Sequence, residues 1–396
     1  MVTSRVVDAL IPVTMVGSYP RPRWYTRRSN GMDMREFWMD QNTREEYEDA
    51  VKAVIKDQEM AGLDIVSDGE MYEDDLVGAI GWPEYVTARI GGMHGRGDPP
   101  MAALLSNPSP IIADMMEHWP GRIITERVTR GPLRFADLYR RAQRITLRPV
   151  KASFVDPQFV LAASVNDQYY GSKPGQPSPD LLMDLAAIYN AELRELAAAG
   201  CRVYQSDLPP FAELGIYSAP QPAWDVATRA FNAMVDGTGG MQIWMHYCWG
   251  RPAGQRADDW YGPVGPDFGP MFPQVFDANF HVLNIECGDC LGPEMALLEQ
   301  VPRDRSVAIG IINHRVLQVE TAEQVADKIR RALQHISPER LFVTTFCGLG
   351  TTLPRTIAFF KLKALVDGTN IVRAELKGTS VEEERDHTTQ ALAAGV

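Results

Sequence analysis

The sequence lacks the features that mark membrane proteins and nucleic-acid-binding proteins. Its 396 residues include no apolar run of about 18 residues, the length that a membrane-spanning helix needs. They include no block of lysine and arginine long enough to bind a polyanion, and the net charge is -12. The N-terminal residues lack the long apolar segment and cleavage site of a signal peptide. We therefore expect a cytoplasmic protein with neither a nucleic acid nor a membrane as its partner.

Cysteine is also scarce, with five residues in the whole chain. So few thiols in a large chain do not indicate a disulfide framework; they are typical of buried thiols, metal ligands or a nucleophile. Hydrophobic residues make up 45% of the chain, which is enough for a large core.

Short aliphatic and β-branched runs alternate with longer amphipathic stretches along the chain. The runs predict strands at 13–17, 63–67, 150–154, 202–206, 241–246, 282–286, 307–312 and 341–345. Helical spacing of apolar residues marks 43–61, 179–199, 321–335 and 354–366. Eight alternations of strand and helix predict an α/β fold, a single-domain (β/α)₈ TIM barrel.

Two connections are longer than such a barrel requires, and they predict insertions in the loops that follow strands, at about 71–148 and 249–273. We expect residues 1–376 to form the barrel domain and 377–396 to form a polar C-terminal tail.

Unusual polar residues fall at or just beyond the end of nearly every predicted strand. They are Ser18, Asp68, Glu70, Asp156, Asp207, His246, Cys248, Glu286, His314 and Cys347. In a TIM barrel these strand ends meet at one mouth, where the active sites of this fold lie. The pattern therefore predicts an enzyme.

His246 and Cys248 give the sharpest local signal, because alternate residues of a strand point to the same side. Glu286 and Cys347 end two other predicted strands and are placed to complete a set of one nitrogen, one oxygen and two sulfur ligands. Zinc accepts such a set. For any one of these residues alone, the simpler explanation is a buried thiol or a core histidine.

Cys287 and Cys290 form a C-x-x-C string beside Glu286 and offer an alternative, either as a metal ligand or as a redox pair. A redox C-x-x-C normally opens a helix of a thioredoxin-like unit, whereas this string follows a barrel strand.

Seven motifs in order resemble the cobalamin-independent methionine synthase family, in its catalytic half and its short single-barrel relatives. They read VGSYPRP, DIVSDGE, YQSDLPP, MHYC, NIECGD, INHRVLQVET and TTFCGLG. The resemblance implies a zinc-dependent methyltransferase that makes methionine from homocysteine through a zinc-bound thiolate.

The same resemblance implies a role for each matching residue. It implies Zn²⁺ bound by His246, Cys248, Glu286 and Cys347. It further implies that Ser18, Glu70 and Asp207 bind the amino-acid part of homocysteine, and that His314 delivers a proton to the leaving group. The partners would be a small thiol and a small alkyl donor; assembly into a homo-oligomer stays open.

A related enzyme class, epoxyalkane:coenzyme M transferase, is the alternative, because coenzyme M is also a thiol. Its sulfonate would need arginine or lysine, and four arginines are available at Arg21, Arg23, Arg27 and Arg28. The ammonium group of homocysteine needs carboxylates, and Glu70 and Asp207 favour it. A non-catalytic zinc protein is a third hypothesis, which would predict a closed site away from the barrel mouth.

Overall fold

The structure is a computed structural model. It describes residues 6–25, 39–72, 81–97, 121–162, 164–165, 168–171, 178–207, 221–248, 268–287, 294–350 and 353–385. The strands are β1 Gly91–Gly97, β2 Gly121–Thr129, β3 Lys151–Val155, β4 Ser164–Val165, β5 Val203–Asp207, β6 Gln242–Tyr247, β7 Val282–Glu286, β8 Ser306–Ile312 and β9 Leu341–Thr345. The helices are α1 Gln41–Ala61, α2 Gly81–Thr87, α3 Phe135–Gln143, α4 Pro157–Ala162, α5 Pro179–Ala198, α6 Gln221–Val235, α7 Glu294–Leu297, α8 Ala322–Ala332 and α9 Arg355–Lys377. Short 3₁₀ helices occupy Gly269–Met271, Gln274–Asp277, Leu298–Gln300 and Pro338–Arg340.

One parallel sheet forms the centre of the molecule, with its strands in the order β3, β5, β6, β7, β8, β9. Two short segments connect its edges: Val13 pairs in parallel with Val343 of β9, and Val66 pairs in parallel with Val150 beside β3. The two segments also meet each other, because the amide of Asp64 donates to the carbonyl of Val13 at 2.9 Å. The ring is thereby closed, and the predicted barrel is confirmed.

Helices on the outside of the ring begin and end at capping residues. The side chain of Asp40 accepts from the Asn42 amide at the start of α1, and Gly62 ends that helix in the left-handed conformation. Thr321 and Gln324 form a reciprocal capping box at the start of α8. These caps fix where α1 begins and ends and where α8 begins.

A second, smaller sheet comes from the predicted insertion at 71–148 and from the loop after β3. Its strands are β1, β2 and β4, with β1 antiparallel and β4 parallel to β2. The insertion also contains α2 and α3. Most of the insertion predicted at 249–273 lies outside the described residues, as does 386–396 of the predicted tail. The domain boundary at 376/377 stays a prediction.

The interior strands β3, β5, β6 and β7 are buried at every position. Strands that are covered on both faces are the rule in parallel sheets flanked by helices. Across the described residues, no helix combines the length and apolarity needed to cross a membrane.

Candidate metal centre and active site

The predicted site residues lie where the barrel strands end, and all of them are buried. Each is at most 6% exposed; they are Ser18, Glu70, Asp207, His246, Cys248, Glu286, His314 and Cys347. Active sites of TIM barrels are formed by polar residues at the carboxyl ends of the barrel strands.

His246, Cys248 and Cys347 form a compact group of candidate metal ligands. His246 is the penultimate residue of β6, Cys248 follows that strand, and Cys347 follows β9. One ligand atom from each lies within 4.8 Å of the others, and the two Sγ atoms are 3.0 Å apart. Neither ring nitrogen of His246 has a hydrogen-bond partner within the described part of the chain. A buried imidazole without such a partner beside two thiols fits a zinc ion, which takes nitrogen and sulfur ligands.

A glycine lets the chain around Cys347 pass close to the neighbouring strand. Gly310 lies in β8, and a Cβ added there would sit 2.7 Å from the Thr345 carbonyl oxygen and 2.9 Å from the Phe346 Cα. The pairing of β8 with β9 also shifts register between Gly310 and Ile312. Irregularities of this kind change the direction of the chain at a strand end, and this one lies just before Cys347.

Glu286, the fourth predicted ligand, ends β7 but is not in the described group of ligand atoms that includes His246. Its carboxylate is bound by both terminal nitrogens of Arg315, with Nη2 to Oε2 at 2.8 Å and Nη1 to Oε1 as the second contact. Both side chains are buried. The structure therefore brings three of the four predicted ligands together and shows the fourth in an ion pair.

Glu70 and Asp207 converge on Ser153, a residue of β3. The Ser153 hydroxyl donates to Asp207 Oδ2. A Cβ added to Gly17 would overlap the Glu70 carboxylate and lie 3.1 Å from Ser153 Oγ, so Glu70 fills the space that this glycine leaves. Glu70 also has a positive φ of 56°, which is uncommon outside glycine and recurs at functional sites. Two carboxyl groups are thus held close together inside the barrel.

A buried network of hydrogen bonds, which the sequence did not indicate, holds the side chain of Asp207 in place. Gln205 Nε2 donates to Asp207 Oδ1 at 2.6 Å and to the Val16 carbonyl at 2.8 Å. Gln205 Oε1 accepts from Lys151 Nζ at 2.7 Å and from Asn284 Nδ2 at 2.9 Å. Both functions of the Gln205 amide are therefore used, and its orientation is fixed. The one sign of this network in the sequence was Lys151, because a charged side chain is rare in a strand that is buried at every position.

Burial sets the protonation of this network. Burial lowers the pKa of Lys151 to about 7, although the negative charges of Asp207 and Glu70 oppose the change. Burial also raises the pKa of Asp207, against the opposing effects of His246, Ser153, Gln205 and Lys151. A perturbed pKa caused by burial and specific charged neighbours, as at Asp207, is typical of an active site.

Ser18 and His314 reach the same region from other strand ends. The Ser18 carbonyl accepts from the Leu349 amide at 2.8 Å, which ties the segment after Val13 to the loop that carries Cys347. His314 follows β8 and is fully buried. Its ring lies edge-on to that of Phe346, with centroids 6.4 Å apart. His314 therefore packs against the residue that precedes Cys347.

The alternatives raised from the sequence are placed as follows. Cys287 is buried but is not in the described group of ligand atoms, and Cys290 lies outside the described residues. Arg21 is half-buried and Arg23 is exposed, while 27–28 lie outside the described residues. Asp156 has a local structural role, because it accepts from the Ser206 hydroxyl at 2.6 Å and from the Gln158 amide at 2.8 Å.

Residues 11–370 match the family described as the catalytic domain of cobalamin-independent synthase. The chain is 33% identical to 2-hydroxypropyl-CoM lyase of Xanthobacter autotrophicus, over 93% of this chain and 96% of that one. It is 29% identical to a methionine synthase of Saccharolobus islandicus, over 94% and 98% of the two chains. Its fold matches a B12-independent methionine synthase from a Shewanella species in complex with selenomethionine, with a TM-score of 0.75, 25% identity and coverage of 93% and 100%.

Proposed function

Since the chain belongs to the family of the cobalamin-independent synthase catalytic domain, we propose that it is a zinc-dependent methyltransferase that converts homocysteine to methionine. The observation that carries the proposal is the group of His246, Cys248 and Cys347 at the barrel mouth. When bound, zinc would lower the pKa of a thiol enough to make it a nucleophile at neutral pH. Both cysteines must stay reduced for this role, which favours the cytoplasm as the place of action.

The carboxylates of Glu70 and Asp207 support an amino-acid substrate. Both are buried, and Ser153 and Gln205 hold Asp207 in a fixed orientation. A substrate ammonium group placed between them would supply the positive charge that two buried carboxylates require. We assign Ser18, which lies on the adjoining loop, to the other end of the amino acid.

His314 is the proposed general acid. A methyl group on a tertiary amine is displaced more readily when the leaving nitrogen receives a proton. An imidazole titrates near neutral pH, which suits it to donate this proton. Its position next to Phe346, which precedes Cys347, supports the assignment.

A second candidate function is the opening of an epoxide by coenzyme M. The 33% identity to 2-hydroxypropyl-CoM lyase specifically favours it. Such a substrate would present a sulfonate instead of an ammonium group. Arg21 and Arg23, in the segment that follows Val13, are the candidates to bind it among the residues that the structure describes. His314 would then protonate the epoxide oxygen.

The two functions are separated by calorimetry on the zinc-loaded protein. We expect homocysteine, and not coenzyme M, to bind with release of a proton. Asp207→Asn and Glu70→Gln should weaken homocysteine turnover severely while zinc content is retained, because each removes a charge that faces the ammonium group. Proton release by coenzyme M and not by homocysteine would overturn the first function in favour of the second. Unchanged homocysteine turnover in both variants would refute the roles given to Glu70 and Asp207.

A further inference from the structure

Asp68 is a buried carboxylate beside the proposed substrate site, and neither proposed function uses it. It is 8% exposed and lies two residues before Glu70, the residue assigned to the ammonium group of homocysteine. Its Oδ1 accepts from the backbone amide of Glu70 at 2.9 Å. An aspartate that binds the amide two residues further along the chain fixes the backbone of a turn. Asp68 is therefore placed to control the conformation of Glu70.

The backbone of Glu70 needs such support. Its φ of 56° lies in the left-handed region, which is costly for a residue that has a Cβ. Gly69, directly before it, also has a positive φ, of 73°. Conformations of this kind persist only where the surrounding structure holds them. The hydrogen bond to Asp68 forms in this conformation, so its loss would let Glu70 relax toward an ordinary negative φ.

The conformation of the Glu70 backbone decides where the carboxylate lies. The carboxylate now occupies the space beside Gly17 and Ser153, and the Ser153 hydroxyl donates to Asp207. A change of φ would swing the side chain out of this space, because the direction of a side chain follows its backbone. The turn thus determines whether two carboxylates or one face the position proposed for the ammonium group.

The residue before Asp68 anchors the turn to the rest of the barrel. Gln58 of α1 is fully buried, and its amide group binds the amide and the carbonyl of Ser67, at 2.8 and 2.9 Å. The Ser67 hydroxyl donates to the Gly17 carbonyl at 2.7 Å and accepts from the Gly69 amide at 3.1 Å. The start of the turn is therefore fixed independently of Asp68, whose own contact acts at its end.

We propose that Asp68 is a positioning residue, which holds Glu70 in its left-handed conformation and thereby adapts the site to a substrate with an amino group. The inference rests on the proposed function in one respect, that the ammonium group of homocysteine meets Glu70. Asp68 acts through its hydrogen bond and not through its charge, so an amide side chain at the same position serves equally well.

The test measures by calorimetry at pH 8 how two thiols bind to zinc-loaded wild type, Asp68→Ala and Asp68→Asn. The thiols are homocysteine and 4-mercaptobutanoate, which is homocysteine without its amino group. Asp68→Ala should weaken homocysteine binding by about tenfold, the usual effect of one hydrogen bond to a charged group, and leave 4-mercaptobutanoate unchanged. Asp68→Asn should bind both thiols as wild type does, because its side-chain oxygen accepts the same hydrogen bond.

The asparagine variant separates the hydrogen bond from the charge. Burial raises the pKa of Asp68 to about 6, so the carboxylate is ionised at pH 8 and Asp68→Asn removes its charge. Asp40→Ala is the matched control for the loss of a hydrogen bond. Asp40 accepts from the Asn42 amide at 2.8 Å, the same contact at an exposed position, and its replacement should change neither thiol affinity.

Hydrogen–deuterium exchange gives a readout that needs no ligand. A peptide that spans 67–72 should exchange about tenfold faster in Asp68→Ala than in wild type, because the Glu70 amide loses its acceptor, and at the wild-type rate in Asp68→Asn. If Asp68→Ala does not fold, Asp68→Ser offers a shorter and weaker acceptor, and it should weaken homocysteine binding to a smaller extent.

Three results would overturn the inference and leave the proposed function intact. Equal losses of homocysteine affinity in Asp68→Ala and Asp68→Asn would show that the carboxylate acts by its charge. Equal losses for both thiols in Asp68→Ala would show a general disturbance of the site, and unchanged exchange in that variant would show that Glu70 keeps its conformation unaided. The proposed function itself fails if wild type binds 4-mercaptobutanoate as tightly as homocysteine, and the role of Asp68 in amine recognition then fails with it.

Discussion

Replacement of Lys151 by methionine tests the polar network beneath Asp207. Lys151 is fully buried at the start of β3, and its Nζ donates to the Met15 carbonyl at 2.6 Å and to Gln205 Oε1. Burial lowers its pKa to about 7, whereas lysine in an unfolded chain has a pKa of about 10.4. The two states therefore bind different numbers of protons over a wide pH range.

The sign of the effect follows from proton linkage. Between pH 7 and 10 the unfolded chain carries a proton on Lys151 that the folded chain has lost, so the free energy of unfolding rises with pH. This contribution is fully present above the unfolded pKa and is lost as the pH falls to the folded value. Because methionine does not titrate, the unfolding free energy of wild type relative to Lys151→Met should increase by about 3 kcal/mol from pH 7 to pH 10.

Urea denaturation of both proteins at pH 7, 8, 9 and 10 measures this difference. Buried tyrosines whose pKa is raised by burial, such as Tyr47 and Tyr189, affect both proteins equally and cancel. Lys52→Met is the matched control, because Lys52 is 61% exposed, and its difference curve should be flat. A flat curve for Lys151→Met would show that the folded lysine keeps an ordinary pKa, and the reasoning about the network would fail.

The remaining predictions concern the metal and the acid. Cys248→Ser should lose most of the zinc after dialysis, measured by atomic absorption, whereas Cys287→Ser should keep it; the reverse result would refute the ligand assignment. His314→Asn should retain metal and thiol binding but slow alkyl transfer by about 10² to 10⁴, the usual contribution of a positioned acid. The exposed His94, replaced in the same way, should leave the rate unchanged, and equal rates for the His314 variant and wild type would exclude His314 from the mechanism.

The barrel was predictable because its strands are short apolar runs with regular helical spacing between them. The predicted bounds at 282–286 and 341–345 agree with β7 and β9. The predictions for β3, β5 and β6 lie one residue too early at both ends, and β8 begins one residue before its prediction. The first two predicted strands appear as single paired positions, Val13 and Val66. The pattern of apolar residues shows which positions are buried. It does not show how many of them pair with a neighbouring strand through backbone hydrogen bonds.

The metal group was predictable for a similar local reason, since His246 and Cys248 are alternate residues at one strand end. The pairing of Glu286 with Arg315 was not, because it depends on how the side chains of two residues 29 positions apart in sequence are oriented. The Lys151 network likewise joins β3, β5 and β7 across the interior. A single sequence shows which polar residues are present, but it does not show which partner each one selects.

Gly17 contributes to this site by having no side chain. Its missing Cβ is the volume in which the Glu70 carboxylate rests, whereas a Cβ added to Gly239 would meet nothing within 4 Å. A side chain at Gly17 would therefore have to displace the Glu70 carboxylate, whereas a Cβ at Gly239 would displace nothing. The position of a carboxylate inside the barrel thus depends on an atom that Gly17 does not have.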